Sequence, residues 1–144
     1  MGLLYFDSSA LVKLVVEEAG SGLASELWDG CDAALSSRLA YPEVRAALAA
    51  AGRNRDLDDD GLAEAERLWE DYWASIRPVE LTAALERSAG DLARRHALRG
   101  ADAVHLASAL ALDDPGLVVV VWDRRLHAGA VDAGLGVAPA GAGG

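Results

Sequence analysis

Leu117-Val118-Val119-Val120-Val121-Trp122-Asp123 decides the fold. The run has no polar break before Asp123 and carries four consecutive valines, so it reads as a strand buried on both faces rather than one that alternates between core and solvent. Strands of that kind belong to parallel sheets covered by helices on both sides. Leu3-Leu4-Tyr5-Phe6 repeats the pattern at the start of the chain and again ends on an acid, Asp7. Shorter candidates are Ala33 to Ser36, Ile76 to Leu81 and an edge strand over Gly134 to Ala138.

Helical signals fill the intervals. Ser8 or Ser9 is placed to cap a helix carrying Leu11, Val12, Leu14, Val15 and Val16, which Gly20 to Gly22 ends before a second helix toward Trp28. Arg38 to Ala51 reads as a helix with Leu39, Val44, Ala47 and Leu48 inward, closed by Gly52, with Pro42 tolerated in the first turn. Asp58, Asp59 and Asp60 supply an N-cap and first-turn acids for a helix to about Ser75, where Trp69, Tyr72 and Trp73 share one face. Thr82 caps a helix to Leu98, Gly100 breaks it, a new helix runs from near Asp102 to Leu112, and Arg124 to Val131 forms the last. The expectation is an α/β fold, a central and mainly parallel sheet flanked by helices.

A chain of 144 residues with 52% apolar composition is expected to form one domain, placed at residues 1–139, with the Gly-rich 140–144 as a disordered tail. No apolar run approaches the ~20 residues a membrane helix needs, the start lacks the basic flank of a signal peptide, and the lone Cys31 fits a reducing compartment. A cytoplasmic location is therefore expected. The net charge of -10 excludes a general nucleic-acid-binding surface, so any such role is local. Two basic groups, Arg94, Arg95 and Arg99 near Asp102, and Arg124 and Arg125 beside Asp123, can either hold a phosphate backbone or pair with nearby acids as solvated helix residues.

Four acids occupy the positions where strands end or helices begin: Asp7, Glu43, Asp102 and Asp123. In a parallel sheet, ligands bind at the carboxyl ends of strands, so these acids can meet at one edge. Clustered carboxylates repel, and either protons or a divalent cation must relieve the conflict. Mg²⁺ or Mn²⁺ accepts oxygen ligands and keeps waters, which suits an open site that admits a phosphate and hydrolyses a phosphodiester. Each acid also has a plain structural reading, as an N-cap, a dipole partner or a turn residue. Ser9 can place its hydroxyl near a phosphate or metal-bound water, or simply cap a helix.

The local contexts are more specific. Tyr5-Phe6-Asp7-Ser8-Ser9-Ala10-Leu11-Val12-Lys13-Leu14, Tyr41-Pro42-Glu43-Val44-Arg45-Ala46-Ala47-Leu48, Arg99-Gly100-Ala101-Asp102-Ala103-Val104-His105-Leu106-Ala107-Ser108-Ala109-Leu110 and Val121-Trp122-Asp123-Arg124-Arg125-Leu126 together resemble the PIN-domain ribonucleases, in particular VapC-type toxins. The resemblance spans nearly the whole chain. It implies a three-layer PIN-like fold, an acidic Mg²⁺ or Mn²⁺ site made by Asp7, Glu43, Asp102 and Asp123 with Ser9 as the accessory hydroxyl, endonuclease action on RNA, homodimerisation and neutralisation by a VapB-type antitoxin. One departure is that many relatives carry Thr or Ser shortly before the fourth acid, where this chain has Val121 and Trp122.

His105 shares a helix face with Asp102 but suits hard cations poorly, and reads as a packed or supporting residue. His96, His127 and Cys31 show no catalytic spacing, and Lys13 reads as a helix residue near the site mouth. Two other functions compete with the toxin ribonuclease. One is a catalytically weak PIN-like module acting through an antitoxin or regulatory complex. The other is a receiver or haloacid-dehalogenase-type phosphatase, disfavoured because Ser9 stands where the phosphatase needs a second Asp. The Trp69, Tyr72, Trp73 stripe reads as a core or interface face rather than a base-stacking platform, and the helices carrying it and Trp28 can form an apolar groove for an antitoxin helix or the homodimer seam.

Overall fold

The computed structural model describes residues 2–141. The elements run β1 (Leu3–Phe6), α1 (Ser8–Val15), α2 (Ser21–Gly30), β2 (Ala33–Ser37), α3 (Ala40–Arg53), α4 (Asp59–Ala74), β3 (Ile76–Val79), α5 (Ala83–His96), α6 (Gly100–Ala111), β4 (Val118–Val120), α7 (Arg124–Asp132) and β5 (Gly136–Ala138). All strand pairings are parallel, in the order β3-β2-β1-β4-β5. The chain builds outward from β1 in one direction and then crosses back to place β4 on its other side. The reversal of strand order lies between β1 and β4, where open parallel sheets bind ligands.

Alternation along the two central strands separates the core into two layers. Leu4 and Phe6 pack with Leu11, Val44, Leu48 and Trp69 under α1 to α4, and Val120 joins them. Tyr5, Val119 and Val121 face the opposite layer with Leu85, Leu92, Leu106 and Leu126 from α5, α6 and α7. This is the three-layer arrangement expected, and the uniformly apolar strands follow from burial on both faces. In β2 two serines are buried as well: Ser36 satisfies its hydroxyl by donating to the Phe6 carbonyl at 2.6 Å, and the Ser37 hydroxyl accepts from the Leu39 N–H at 3.0 Å.

Several boundaries differ from the sequence reading. Asp7, not Ser8 or Ser9, caps α1, its carboxylate accepting from the Ala10 N–H. The helix ends at Val15, so Val16 lies beyond it, and Gly20 instead precedes α2 in a left-handed conformation at φ 93°. In α3 the first residue is Ala40; Arg38 and Leu39 form the turn before it, and Gly52 lies inside the helix. The chain breaks after α5 at Ala97, whose φ is 53°, while Gly100 opens α6. Only Val118–Val120 of the long valine run is paired as strand, because β1 and β5 supply short partners. Of the expected tail, residues 142–144 lie outside the described residues. No helix among the described residues is long and apolar enough to cross a membrane.

The aromatic stripe of α4 is mostly internal. Trp69 is fully buried, Tyr72 packs edge-on against Trp28 with ring centroids 4.9 Å apart, and Trp73 meets Tyr41 and Trp69. This bears out the core reading for Trp69, while Trp28 and Tyr72, with Leu68, Asp71 and Ser75, still line a surface pocket. The Trp69 indole N–H is buried without an acceptor among the described residues. Trp69→Phe removes that unsatisfied donor as well as ring volume, so it is expected to change unfolding free energy by only about 1 kcal/mol, whereas Trp69→Ala costs about 3–5 kcal/mol. Denaturant unfolding of the two variants checks this, and equal losses would mean that the indole N–H has a partner.

Candidate active site

Asp7 leaves the end of β1 beside the strand-order reversal, with its backbone N–H donating to the Val120 carbonyl at 3.2 Å. Its carboxylate is 3% exposed and accepts from the Ala10 N–H at 2.9 Å and from the Ser9 hydroxyl, which lies 2.7 and 2.8 Å from its two oxygens. Ser9 in turn accepts from the Trp122 N–H at 3.4 Å, tying the end of β1 to the segment that leads to Asp123. Glu43 reaches the same region from the first turn of α3. Asp102 comes from the first turn of α6, and Asp123 is the N-cap of α7, accepting from the Leu126 N–H at 2.9 Å.

Two cationic or proton-bearing groups link these acids. The Arg99 guanidinium stands 3.2 Å from Asp102 and 3.6 Å from Asp123, and it also lowers the proton affinity of Glu43. His105 is 2% exposed, with Nε2 2.7 Å from Glu43 Oε1 and 3.2 Å from the Ser8 hydroxyl. Asp7 senses both His105 and Asp102. The four predicted acids are thus brought to one edge of the sheet, with Ser9 on Asp7. They are joined through intervening side chains, and among the described residues no three Asp, Glu, His or Cys side chains already converge as an ion cage.

Trp122 helps fix the position of Asp123. Its indole lies against Gly20, where an added Cβ would come within 3.0 Å of the ring, and Lys13 Nζ sits 5.1 Å from the ring centroid while pairing with Glu18 at 2.7 Å. Lys13 is therefore occupied near the site. The remaining candidates are structural here: His127 bonds the Pro139 carbonyl at 2.8 Å, His96 lies 3.3 Å from Asp132, and the Cys31 thiol donates to the Trp28 carbonyl with its proton held more tightly by burial. Arg94, Arg95, Arg124 and Arg125 are exposed on the neighbouring ends of α5 and α7. Sequence reading missed the contact of Ser8 with Glu43 and the support that Tyr5 gives from the strand, whereas Arg99 was named beside Asp102 with acid pairing as one of its two readings. Neither Ser8 nor Tyr5 had a local signal, since their partners lie 35 and 100 residues away in sequence.

Electrostatics set the chemistry available. Burial pushes the Asp7 carboxyl up to about 6, with the Asp102 charge adding to the rise, while His105, Ser9 and the Ala10 N–H oppose it. Burial also acts to raise Glu43, but hydrogen bonds from His105 and Ser8 and the charge of Arg99 outweigh it and hold that carboxyl below the usual range. An all-oxygen donor set with Arg99 drawn against two of its members fits a hard divalent cation, since the guanidinium supplies there the positive charge that such an ion would bring.

The Asp7 shift has a sign that can be measured. A carboxyl whose proton affinity rises on folding stabilises below its unfolded value of 3.8, and that contribution is lost as pH rises to about 6. The corresponding loss is about 3 kcal/mol for the metal-free protein. Glu43, shifted down, contributes in the opposite sense and loses stability as pH falls. The difference in unfolding free energy between wild type and Asp7→Asn, measured in EDTA from pH 4 to 7, is therefore expected to move against wild type by about 2 kcal/mol, the part of that loss falling in this window. A flat difference would show that Asp7 titrates as an ordinary carboxylate.

Comparison with known proteins gives concordant findings. The PIN domain family matches residues 4–130. The chain is 75% identical over 140 residues to Ribonuclease VapC45 of Mycobacterium tuberculosis strain CDC 1551 / Oshkosh, covering 97% of each. The same values hold for Ribonuclease VapC49 of strain ATCC 25618 / H37Rv. Among solved structures, the sarcin-ricin loop cleaving toxin VapC20 of M. tuberculosis is similar in fold, with a TM-score of 0.68 at 21% identity over 92% of this chain and 95% of that one. A toxin-antitoxin complex from Klebsiella pneumoniae gives a TM-score of 0.64 at 17% identity, over 88% and 91% of the two chains.

Proposed function

This chain belongs to the PIN-domain family, and from that premise we propose that it is a VapC-type toxin, an endoribonuclease that hydrolyses RNA phosphodiester bonds with Mg²⁺ or Mn²⁺ at the Asp7, Glu43, Asp102, Asp123 edge. The observation that carries this reading is the gathering of those acids at the sheet's strand-order reversal, in a chain 75% identical to proteins named as ribonucleases. The Klebsiella neighbour is a toxin-antitoxin complex, which supports a VapB-type antitoxin as the restraining partner. We further propose a homodimer acting in the cytoplasm.

A divalent cation bound at this acidic edge would supply charge to stabilise the phosphate and would acidify water. Asp7, Asp102, Glu43 and Asp123 would hold it through oxygen. The Ser9 hydroxyl, donating to Asp7, fixes the rotamer of the most buried acid. Burial raises the proton affinity of Asp7, so it would hold a cation as the carboxylate only at a pH where that proton is lost, with the Ser9 hydroxyl and the Ala10 N–H stabilising the charged form. Arg99, whose side chain is 74% exposed beside Asp102 and Asp123, is placed where its guanidinium would reach the phosphate of a strand lying on the acidic edge.

Two outcomes follow. Protein freed of its partner is expected to cut RNA with Mg²⁺ or Mn²⁺, to lose cutting in EDTA, and to lose about 100-fold or more of its rate in Asp7→Asn or Asp102→Asn without unfolding. Full activity in both variants would sink the assignment, and a folded, metal-binding protein that cuts no RNA would favour the binding module. In an Asp7→Asn background that leaves RNA intact, Arg99→Ala is expected to weaken RNA binding and lower the slope of log affinity against log salt by about one. Fluorescence anisotropy across a salt series reads that slope, and an unchanged slope would remove Arg99 from the phosphate.

A further inference from the structure

Glu43 is the acid whose position is least explained by its own element. It stands on the first turn of α3 with its side chain 27% exposed, where a free Glu samples several rotamers and loses that freedom on ordering. Its Oε1 nevertheless receives two bonds from other parts of the chain, from the Ser8 hydroxyl at 2.5 Å and from His105 Nε2 at 2.7 Å. Both fall on the same oxygen, which fixes the carboxylate plane while using one of its two oxygens.

His105 is itself held from behind. Its Nδ1 lies 2.8 Å from the hydroxyl of Tyr5, a residue on β1 that is fully buried, and the two rings meet edge-on at 75° with centroids 5.8 Å apart. A carboxylate oxygen only accepts, so the nitrogen 2.7 Å from Glu43 carries the hydrogen. In the neutral ring Nδ1 is then the acceptor, and the Tyr5 hydroxyl donates to it. The tautomer follows from both neighbours together.

We infer that Tyr5 and His105 form a buried post, rooted in the central strand, that positions Glu43 for the cation site through the Tyr5 hydroxyl, the two imidazole nitrogens and Glu43 Oε1. His105 is a positioning residue and touches neither cation nor RNA. The post explains why an aromatic residue with a hydroxyl occupies an otherwise wholly apolar strand, and why a histidine is buried on α6 below the acids. The alternative is a core histidine that merely satisfies its own polar atoms. That role would affect stability but not the affinity of the site for a metal.

The inference rests on the metal reading above, and the test separates the two. Mn²⁺ alone, without RNA, is titrated by calorimetry into wild type, His105→Leu, His105→Gln and Tyr5→Phe, each checked by thermal melting, while ¹⁵N imidazole shifts are recorded on metal-free wild type and Tyr5→Phe. Loss of an outer hydrogen-bond partner commonly weakens metal binding by 10–100-fold, so a drop of about that size is expected in His105→Leu, with substantial rescue in His105→Gln through its amide N–H and a smaller drop of about threefold or more in Tyr5→Phe. The His105 ring of wild type is expected to be protonated at Nε2, and the Nδ1–H tautomer to become populated in Tyr5→Phe. Manganese affinities within twofold of wild type in both His105→Leu and Tyr5→Phe, or a wild-type ring bare at Nε2, would overturn the post. Should His105→Leu fail to fold, Tyr5→Phe carries the comparison. If wild type binds no Mn²⁺, the metal reading fails, and the imidazole shifts alone decide whether the post holds Glu43.

Discussion

A carboxylate sealed at the end of the central strand is the constraint from which the rest of the site follows. Asp7 caps α1, so the path of the chain out of β1 depends on it, yet its burial strongly favours the protonated form. The caps at Asp58 and Thr82 carry no such burden, because they lie at the surface. Structural need alone is met by any small polar cap. A buried acid in that place, with Asp102 near enough to raise its proton affinity further, carries an unfavourable electrostatic cost when ionised that a cation would relieve.

Arg99 and His105 divide the task of living with that charge. Arg99 approaches from solvent and faces Asp102 and Asp123, whereas His105 approaches from the core and faces Glu43. The difference in burial determines what each can do. An exposed guanidinium is screened, contributes little fixed stability and can move at little cost. A buried imidazole held at both nitrogens cannot leave without abandoning two hydrogen bonds. The site therefore has one movable positive group and one fixed support, disposed on opposite sides of the carboxylates.

Much of this was legible in the sequence. The valine run and Leu3 to Phe6 announced strands buried on both faces, and the acids at their ends pointed to the binding edge, because both signals are local patterns fixed by the backbone period. The flanking motifs around Asp7, Glu43, Asp102 and Asp123 carried the family. Tyr5 was hidden for the same reason that the strand was visible: an aromatic residue inside an apolar run reads as core, and its hydroxyl finds His105 only after one hundred residues of chain have folded. The helix starts were misplaced where two residue types could cap, as at Asp7 and Ser8. The Trp69 stripe was correctly given a helical face, but periodicity does not say whether that face meets a partner or the protein's own α1 and α3.

The overall charge sets the terms on which such a site meets RNA. With a net charge of -10 the molecule repels a polyanion at long range, and the arginines at the end of α5, before α6 and at the start of α7 oppose that field close to the acids. At about 0.1 M salt the screening length is ~10 Å, so charges elsewhere on the surface act weakly at the site while contacts within it persist. Salt then works in two directions: it eases approach by screening the net repulsion, and it weakens each arginine–phosphate contact once made. Association governed by a few local contacts, rather than by a broad basic face, favours RNA whose shape brings one exposed phosphate to the carboxylate edge, and disfavours indiscriminate tracking along the backbone.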